Sequence, residues 1–177
     1  MQQRDLLSEL AGAGRGRALD VACGDGRNAG YLAQLGFDVD AVDVSDVAVD
    51  ALRAAAEARG LSVHPRRHDL EHGGLGDDGR GHGDSAYDVI VQINYLQRDL
   101  FGELARALAP GGLLILETFT RADLETLGNR VEARYLLEAG ELPTSFPGLE
   151  VIRHREAVLE HGERKRAVAG LVARRPG

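Results

Sequence analysis

The chain is poor in cysteine, in basic charge and in long apolar runs, and each shortage removes a class of protein. Cys23 is the single cysteine among 177 residues. No internal disulfide framework is possible, and a reducing, cytoplasmic setting is expected. The formal net charge of -7 is opposite to the basic surplus with which nucleic-acid modules neutralise phosphates. It also argues against an anionic membrane surface as partner. No run approaches bilayer-spanning length, and residues 1–10 lack the apolar core of a secretory signal. What is present is a hydrophobic fraction of 44%, enough for a globular protein with a sizeable core. A single domain over 1–177 is expected.

The stretch Ala18-Leu19-Asp20-Val21-Ala22-Cys23-Gly24-Asp25-Gly26-Arg27-Asn28 organises the rest. Strand-forming residues lead through two glycines into a helical segment. Such a join leaves backbone N–H groups at the helix start, where a ligand can approach closely. Asp20 lies inside the apolar run, a costly place for a carboxylate without a partner. The expected partner is the charged tail of a bound cofactor.

Ahead of this stretch, residues 2–11 read as a short helix followed by a glycine-rich linker to residue 16. Strands are expected over 17–23, 37–44, 61–68 (an edge strand, interrupted by Pro65), 87–93 and 113–119. Helices are expected over 28–35, from Ser45 or Asp46 through Arg59 to a stop at Gly60, and over 96–109. Pro110-Gly111-Gly112 reads as the turn into the fifth strand. Residues 72–85 hold six glycines. No helix and no Lys-Ser/Thr pair follows them, so a flexible surface loop is favoured over a phosphate loop. An irregular helical stretch over 122–146 precedes two strands, 150–159 and 164–173, whose short link predicts an antiparallel hairpin.

Five strands alternating with helices, then a hairpin, imply an α/β fold: a doubly wound, mostly parallel seven-stranded sheet. Ligands of such sheets bind outside the carboxyl ends of the strands, where the winding reverses. Asp43 ends the second strand and can accept from both hydroxyls of an adenosine ribose; its alternative role is to cap the next helix. Asp69 ends the third and can accept from an adenine amino group, or else is a solvated loop carboxylate beside Arg66 and Arg67. Cys23 is a small buried residue under the ligand rather than a nucleophile. His64, His68 and His72 have helical metal-face spacing, but Pro65 and the strand-like setting oppose the helix, and no metal is expected. Arg164-Lys165-Arg166 and Arg174-Arg175 read as solvated edge positions.

These residues resemble a class I S-adenosylmethionine-dependent methyltransferase. The family's first motif, acid-x-Gly-x-Gly-x-Gly, is met by Asp20-Val21-Ala22-Cys23-Gly24-Asp25-Gly26 with Ala22 in place of the first glycine. Asp43, the pair Asp69-Leu70, Pro110-Gly111-Gly112 and the terminal hairpin complete the match from about Gly16 onward. Arg27-Asn28, Asn94-Tyr95-Leu96, Glu117-Thr118-Phe119 and Tyr135-Leu136-Leu137-Glu138 look like the compact bacterial branch near the tellurite-resistance methyltransferases. The resemblance implies the Rossmann-like methyltransferase fold and S-adenosylmethionine as cofactor. It implies cofactor contacts at Asp20, Gly24, Gly26, Asp43, Val44, Asp69, Leu70 and Gln92. It also implies in-line methyl transfer to a small-molecule or soft-nucleophile acceptor, with no metal and no catalytic residue assigned: an acceptor ionised near neutrality needs little proton removal and an alcohol needs a base. Asn94, Tyr95 and Arg121 are candidate pocket residues, Tyr95 as an orienter, or else serve packing or helix capping. The Asn-Pro-Pro-aromatic motif of amino-group methylases is replaced by Ile93-Asn94-Tyr95-Leu96, which disfavours a nucleic-acid substrate.

Two rivals remain. Gly24-x-Gly26-x-x-Ala29 satisfies the loose fingerprint of an NAD(P)-dependent oxidoreductase, against which stand the acid inside the first strand and the closing hairpin. A cofactor-binding module without turnover is the other. Oligomeric state is not legible.

Overall fold

The computed structural model describes residues 16–76, 83–125, 127–128, 131–161 and 164–177. The expected N-terminal helix, the middle of the glycine-rich stretch and the centre of the hairpin link lie outside these residues.

The apolar run after Gly16 forms β1 (Gly16–Val21), whose last four residues are all buried. Burial on both faces follows from its place: β1 pairs in parallel with β2 (Phe37–Asp43) on one side and with β4 (Tyr87–Ile93) on the other. Outward from β2 lies β3 (Val63–Arg67), and outward from β4 come β5 (Leu108–Phe119), β7 (Arg164–Arg174) and β6 (Glu150–His161), giving the order β3-β2-β1-β4-β5-β7-β6. Strand β7 alone runs antiparallel to its neighbours. Winding therefore goes one way through β2 and β3, then reverses across β1 to β4. That reversal opens a crevice at the carboxyl ends of β1 and β4. The expected sheet and hairpin are both present, and Pro65 sits in edge strand β3, as expected.

Alternation along the strands divides the core into two layers. On one face Ala18, Val39, Ala41, Val89 and Val91 pack against Ala29 and Leu32 of α1 (Arg27–Gln34) and Leu52 and Ala56 of α2 (Asp46–Arg59). On the other, Leu19, Val21, Ile90, Leu114 and Leu116 meet Phe101 and Leu104, together with Leu137, Leu142 and Phe146. Helix α2 has the expected ends: the Ser45 hydroxyl accepts from the Ala48 N–H at 3.3 Å, and Gly60 closes it in a left-handed conformation at φ 60°.

Four expectations need correction. After the four-residue helix α3 (Leu70–Gly73) and β4, the predicted helix over 96–109 is a 3-10 turn, Arg98–Leu100, followed by α4 (Phe101–Ala107). Pro110 cannot donate and drives its predecessor extended, so helical geometry ends before it. Pro110-Gly111-Gly112 is not a turn ahead of a strand; it is a bulge within β5. Leu108 lies opposite Tyr87 and Leu113 opposite Val89, with the register shifting between them. Gly111 has φ 80°, and a Cβ on Gly112 would stand 2.8 Å from the Ala109 carbonyl oxygen and 3.0 Å from that of Tyr87.

The stretch 122–146 is mostly not helical. It holds α5 (Arg121–Glu125) and single 3-10 turns at Ala133–Tyr135 and Leu142–Thr144. Gly140, Pro143 and Pro147 interrupt any helical period, and long-range contacts fix the path instead. Arg98 Nε pairs with Glu141 at 2.6 Å, while its Nη1 and Nη2 donate to the carbonyls of Arg134 at 3.0 Å and Leu136 at 2.9 Å.

The basic residues near the C-terminus are not all solvated edge positions, because β7 is internal. Arg166 lies 3.7 Å over the Phe119 ring and pairs at 3.0 Å with fully buried Asp123, which also accepts from the Ala167 N–H at 2.8 Å. Arg175 donates to the carbonyls of Arg106 and Leu108. On the far side of the sheet, Glu117 of β5 and Arg155 of β6 pair at 2.5 Å across the intervening β7. They can meet because both stand opposite Gly170, which has no side chain to separate them.

Gly112→Ala forces its new methyl against two carbonyl oxygens and is expected to lower unfolding stability by about 1–3 kcal/mol. Urea denaturation of the two proteins measures the difference; equal midpoints would show that the bulge tolerates a side chain.

Candidate functional site

The loop joining β1 to α1 holds three left-handed residues: Ala22 at φ 55°, Gly24 at φ 51° and Gly26 at φ 73°. For Ala22 that conformation costs roughly 1–2 kcal/mol, so the surroundings must hold it. They do so through two carboxylates. Asp20 Oδ2 accepts from the Ala29 N–H at 2.8 Å, tying the strand to the first turn of α1. Asp43 Oδ2 accepts from the Gly24 N–H at 2.8 Å, and its Oδ1 from the Ser45 N–H at 2.9 Å. A bond from the Cys23 N–H to the Val42 carbonyl at 2.9 Å adds a third tie. Gly26 is enclosed, since a Cβ there would lie 2.2 Å from Leu52 Cδ1; a Cβ on Gly24 would meet nothing within 4 Å. The loop thus turns an open surface outward at Gly24.

Asp20 is buried, and part of its need is met within the protein, which amends the expectation that a cofactor supplies its partner. One oxygen binds Ala29; the other, Oδ1, is buried with no hydrogen-bond partner. Burial is the main cause that pushes its carboxyl up to about 7, opposed by the Ala29 N–H and the Asn28 amide. Cys23 lies beside it, buried, with its thiol pushed up by burial and by Asp20 and Asp43. Burial and these charges favour the neutral thiol over the nucleophilic thiolate.

The other strand ends bring their residues to the same edge. The helix-capping alternative for Asp43 is filled by Ser45. Val44 beside it is 57% exposed, an apolar surface open to a ligand. Asp69 caps α3: its Oδ1 accepts from the Glu71 N–H at 3.0 Å, and its Oδ2 lies 2.8 Å from His72 Nδ1. Bonding to His72 holds Asp69 below, and His72 above, their ordinary values. Of the neighbouring arginines, Arg67 pairs with Asp46 at 2.9 Å, and Arg66 donates to the Leu75 carbonyl at 2.7 Å. The Leu70 side chain belongs to the core, which leaves its backbone as the part available to a ligand.

At the end of β4, Gln92 is fully buried; its Nε2 donates to the Tyr95 carbonyl at 3.0 Å and its Oε1 has no partner. Asn94 is exposed in a left-handed conformation at φ 59°, its N–H bonded to the Glu117 carbonyl. The Tyr95 hydroxyl is also buried without a partner, and burial, followed by the charges of Glu71 and Asp69, pushes it up to about 12. Arg121 is bound to Glu138 at 2.6 Å and Glu125 at 3.9 Å, a strut between α5 and the 131–146 segment. Two residues that sequence reasoning missed join this edge: the Tyr135 hydroxyl donates to Glu71 Oε1 at 3.2 Å. Tyr135 entered there only as part of a family motif, and Glu71 had no signal beyond its place two residues after Asp69.

His64, His68 and His72 turn to separate partners: Asp38, the carbonyls of Gly73 and Gly74, and Asp69. Among the described residues no group of three His, Cys, Asp or Glu side chains is placed to hold a metal. A cleft of about 490 Å³ runs between α1 and α2, lined by Gly26, Gly30, Tyr31, Leu52, Ala56 and Arg59. It reaches the loop at Gly26 but does not include the strand-end carboxylates. No helix among the described residues is long and apolar enough to cross a membrane.

A family model described as a methyltransferase domain matches residues 18–112. The chain is similar to a ubiquinone biosynthesis O-methyltransferase of Chelativorans sp. (strain BNC1), 31% identical over 164 residues, covering 89% of this chain and 59% of that protein. One from Caulobacter sp. (strain K31) is 30% identical over 126 residues, covering 68% and 48%. The chain therefore spans about half the length of the curated relatives it matches. Among solved structures, TehB from Haemophilus influenzae superimposes with a TM-score of 0.81 over 98% of this chain and 62% of that one, at 20% identity, a likeness of fold.

Asp20 makes a pH prediction. Its folded carboxyl keeps its proton up to about 7, whereas an unfolded one loses it near 3.8. Between these values the folded state binds more protons, so stability falls as pH rises through that window, by a few kcal/mol in order of magnitude. Asp20→Asn is expected to flatten that part of the profile. Urea titrations from pH 4 to 8 check it, and an unchanged slope in the variant would exclude Asp20 as the cause.

Proposed function

This chain belongs to the class I S-adenosylmethionine-dependent methyltransferases, and from that premise we propose that it transfers a methyl group to a small-molecule or soft-nucleophile acceptor. The observation that carries most weight is the loop pinned by Asp20 and Asp43 with Gly24 facing open space. S-adenosylmethionine fits the residues present. Asp20 Oδ1 is a buried acceptor in want of a donor, and each Asp43 oxygen accepts one N–H, leaving capacity for a ribose hydroxyl. Helix α1 follows Gly26, which has no side chain to cap it; Asp20 takes the Ala29 N–H of the first turn, and the positive end of the helix dipole lies at this loop.

We assign the cofactor's charged tail to Asp20, Gly24 and Gly26, its ribose to Asp43, its adenine to Val44, Asp69 and Leu70, and the floor to Gln92. When bound, S-adenosylmethionine supplies a methyl group already activated by its sulfonium. The chain's own task is to orient the acceptor and keep water out, and orientation of that kind can contribute up to ~7–11 kcal/mol. Asn94, Tyr95 and Arg121 are proposed for the acceptor side, Arg121 by bracing the segment that carries Tyr135. An acceptor ionised near neutrality needs no base, whereas a hydroxyl does. The names of the O-methyltransferase relatives place hydroxyl compounds among the acceptors to be tried. We further propose that 1–177 acts as one domain, in a reducing, cytoplasmic setting, without nucleic acid or membrane as partner.

Calorimetric titration is expected to show uptake of S-adenosylhomocysteine and none of NADH. Asp43→Ala should weaken that uptake about 10- to 100-fold, the loss of hydrogen bonds to a charged group. Because Asp43 also holds two backbone N–H groups, the variant should lose roughly 1–3 kcal/mol of stability as well. Affinity equal to that of the unaltered protein would remove Asp43 from the site.

A further inference from the structure

Three segments distant in sequence converge beside the ends of β3 and β4. Helix α3 brings Glu71, the turn after β4 brings Tyr95, and the 3-10 turn Ala133–Tyr135 brings Tyr135, whose hydroxyl donates to Glu71 Oε1 at 3.2 Å. The corner is held on two sides. Gln97 Nε2 reaches the Glu71 carbonyl at 3.5 Å, and Arg98 clamps the 133–141 segment through Arg134, Leu136 and Glu141.

Two polar atoms here are buried without partners, the Tyr95 hydroxyl and Gln92 Oε1. Gln92 is fully buried, and its amide nitrogen grips the Tyr95 carbonyl, so its orphan oxygen lies under the same turn. Each unmet group of this kind is a cost to the fold. Something that carries its own donors would relieve that cost. Glu71, Asp69 and Asp43 all act on Tyr95 in the same sense. Ionised carboxylates only accept hydrogen bonds, so this corner draws donors and repels anions.

We propose that Glu71, Tyr95 and Tyr135 form the acceptor-recognition corner of the methyl-transfer site, and that it takes an uncharged small molecule whose O–H or N–H is donated to Glu71. Oxyanions and carboxylates are excluded by the same carboxylates. This presupposes the methyltransferase function proposed above. Tyr135 already occupies Glu71 as the acceptor's donor would, and it moves aside or shares the carboxylate when one binds. Gln92, whose Nε2 holds the Tyr95 carbonyl, and the buried Tyr95 hydroxyl add two unmet polar atoms beside these groups.

The test is calorimetry on the full chain saturated with S-adenosylhomocysteine, with phenol and aniline as uncharged probes and benzoate and selenite as anions. Phenol is expected to bind at least tenfold more tightly than benzoate, which has the same ring and differs in charge. Glu71→Gln should weaken phenol roughly tenfold or more and narrow its advantage over benzoate. Tyr95→Phe should weaken phenol while leaving S-adenosylhomocysteine affinity intact. Equal binding of benzoate or selenite, unaltered phenol affinity in Glu71→Gln, or no binding of either uncharged probe overturns the proposal. Failure to take up S-adenosylhomocysteine in the first titration is a separate outcome, and it sinks the methyltransferase function and this corner together.

Discussion

Two carboxylates holding two backbone N–H groups set the shape on which everything at the strand ends depends. Asp20 binds Ala29 and Asp43 binds Gly24, each at 2.8 Å, so the chain between β1 and α1 is held from both sides. A free loop would not keep Ala22 and two glycines left-handed together. The arrangement stores backbone strain at the loop proposed to hold the cofactor, and folded proteins commonly keep strain at such sites. It also ties β1 to β2 through a side chain at the carboxyl edge, above the point where the sheet's own ladder ends.

The same edge gathers negative charge. Asp43 ends β2, Asp69 and Glu71 follow β3, and Asp20, near the end of β1, adds a fourth carboxyl group whose charge burial opposes. Such a concentration is unfavourable until something offsets it. Within the protein the offset is partial: backbone N–H groups serve Asp43, His72 serves Asp69, and Tyr135 serves Glu71. A sulfonium cofactor is a cation, so the field favours the ligand that the family uses. Burial carries the rest of the cost at Asp20, whose carboxyl keeps its proton far above its ordinary range.

Local chemistry was legible in the sequence wherever it decided the structure. The strand–glycine–helix join, the Ser45 cap, the Gly60 stop and the proline of edge strand β3 are all determined by residues within a few positions. What escaped was decided at a distance. The 131–146 segment follows an arginine more than thirty residues upstream rather than its own periodicity. Arg166 reads as a surface cation until Asp123 and Phe119 are brought to it. Pro110-Gly111-Gly112 has the composition of a turn, and only the register of β5 against β4 makes it a bulge. Glu71 and Tyr135 meet across 64 positions, and no local pattern points to their meeting.

The ion pair of Glu117 and Arg155 has a bearing on how the sheet's far side comes apart. It fastens β6 to β5 over the bare backbone of Gly170, so the outermost strand is anchored past its neighbour as well as to it. An outer strand ordinarily frays first and alone. Here peeling β6 away would also strip a nearly buried glutamate at the end of β5 of its counter-charge. The three strands should therefore open to solvent as one unit, and a disturbance at the outer border would be felt at the rim of the crevice.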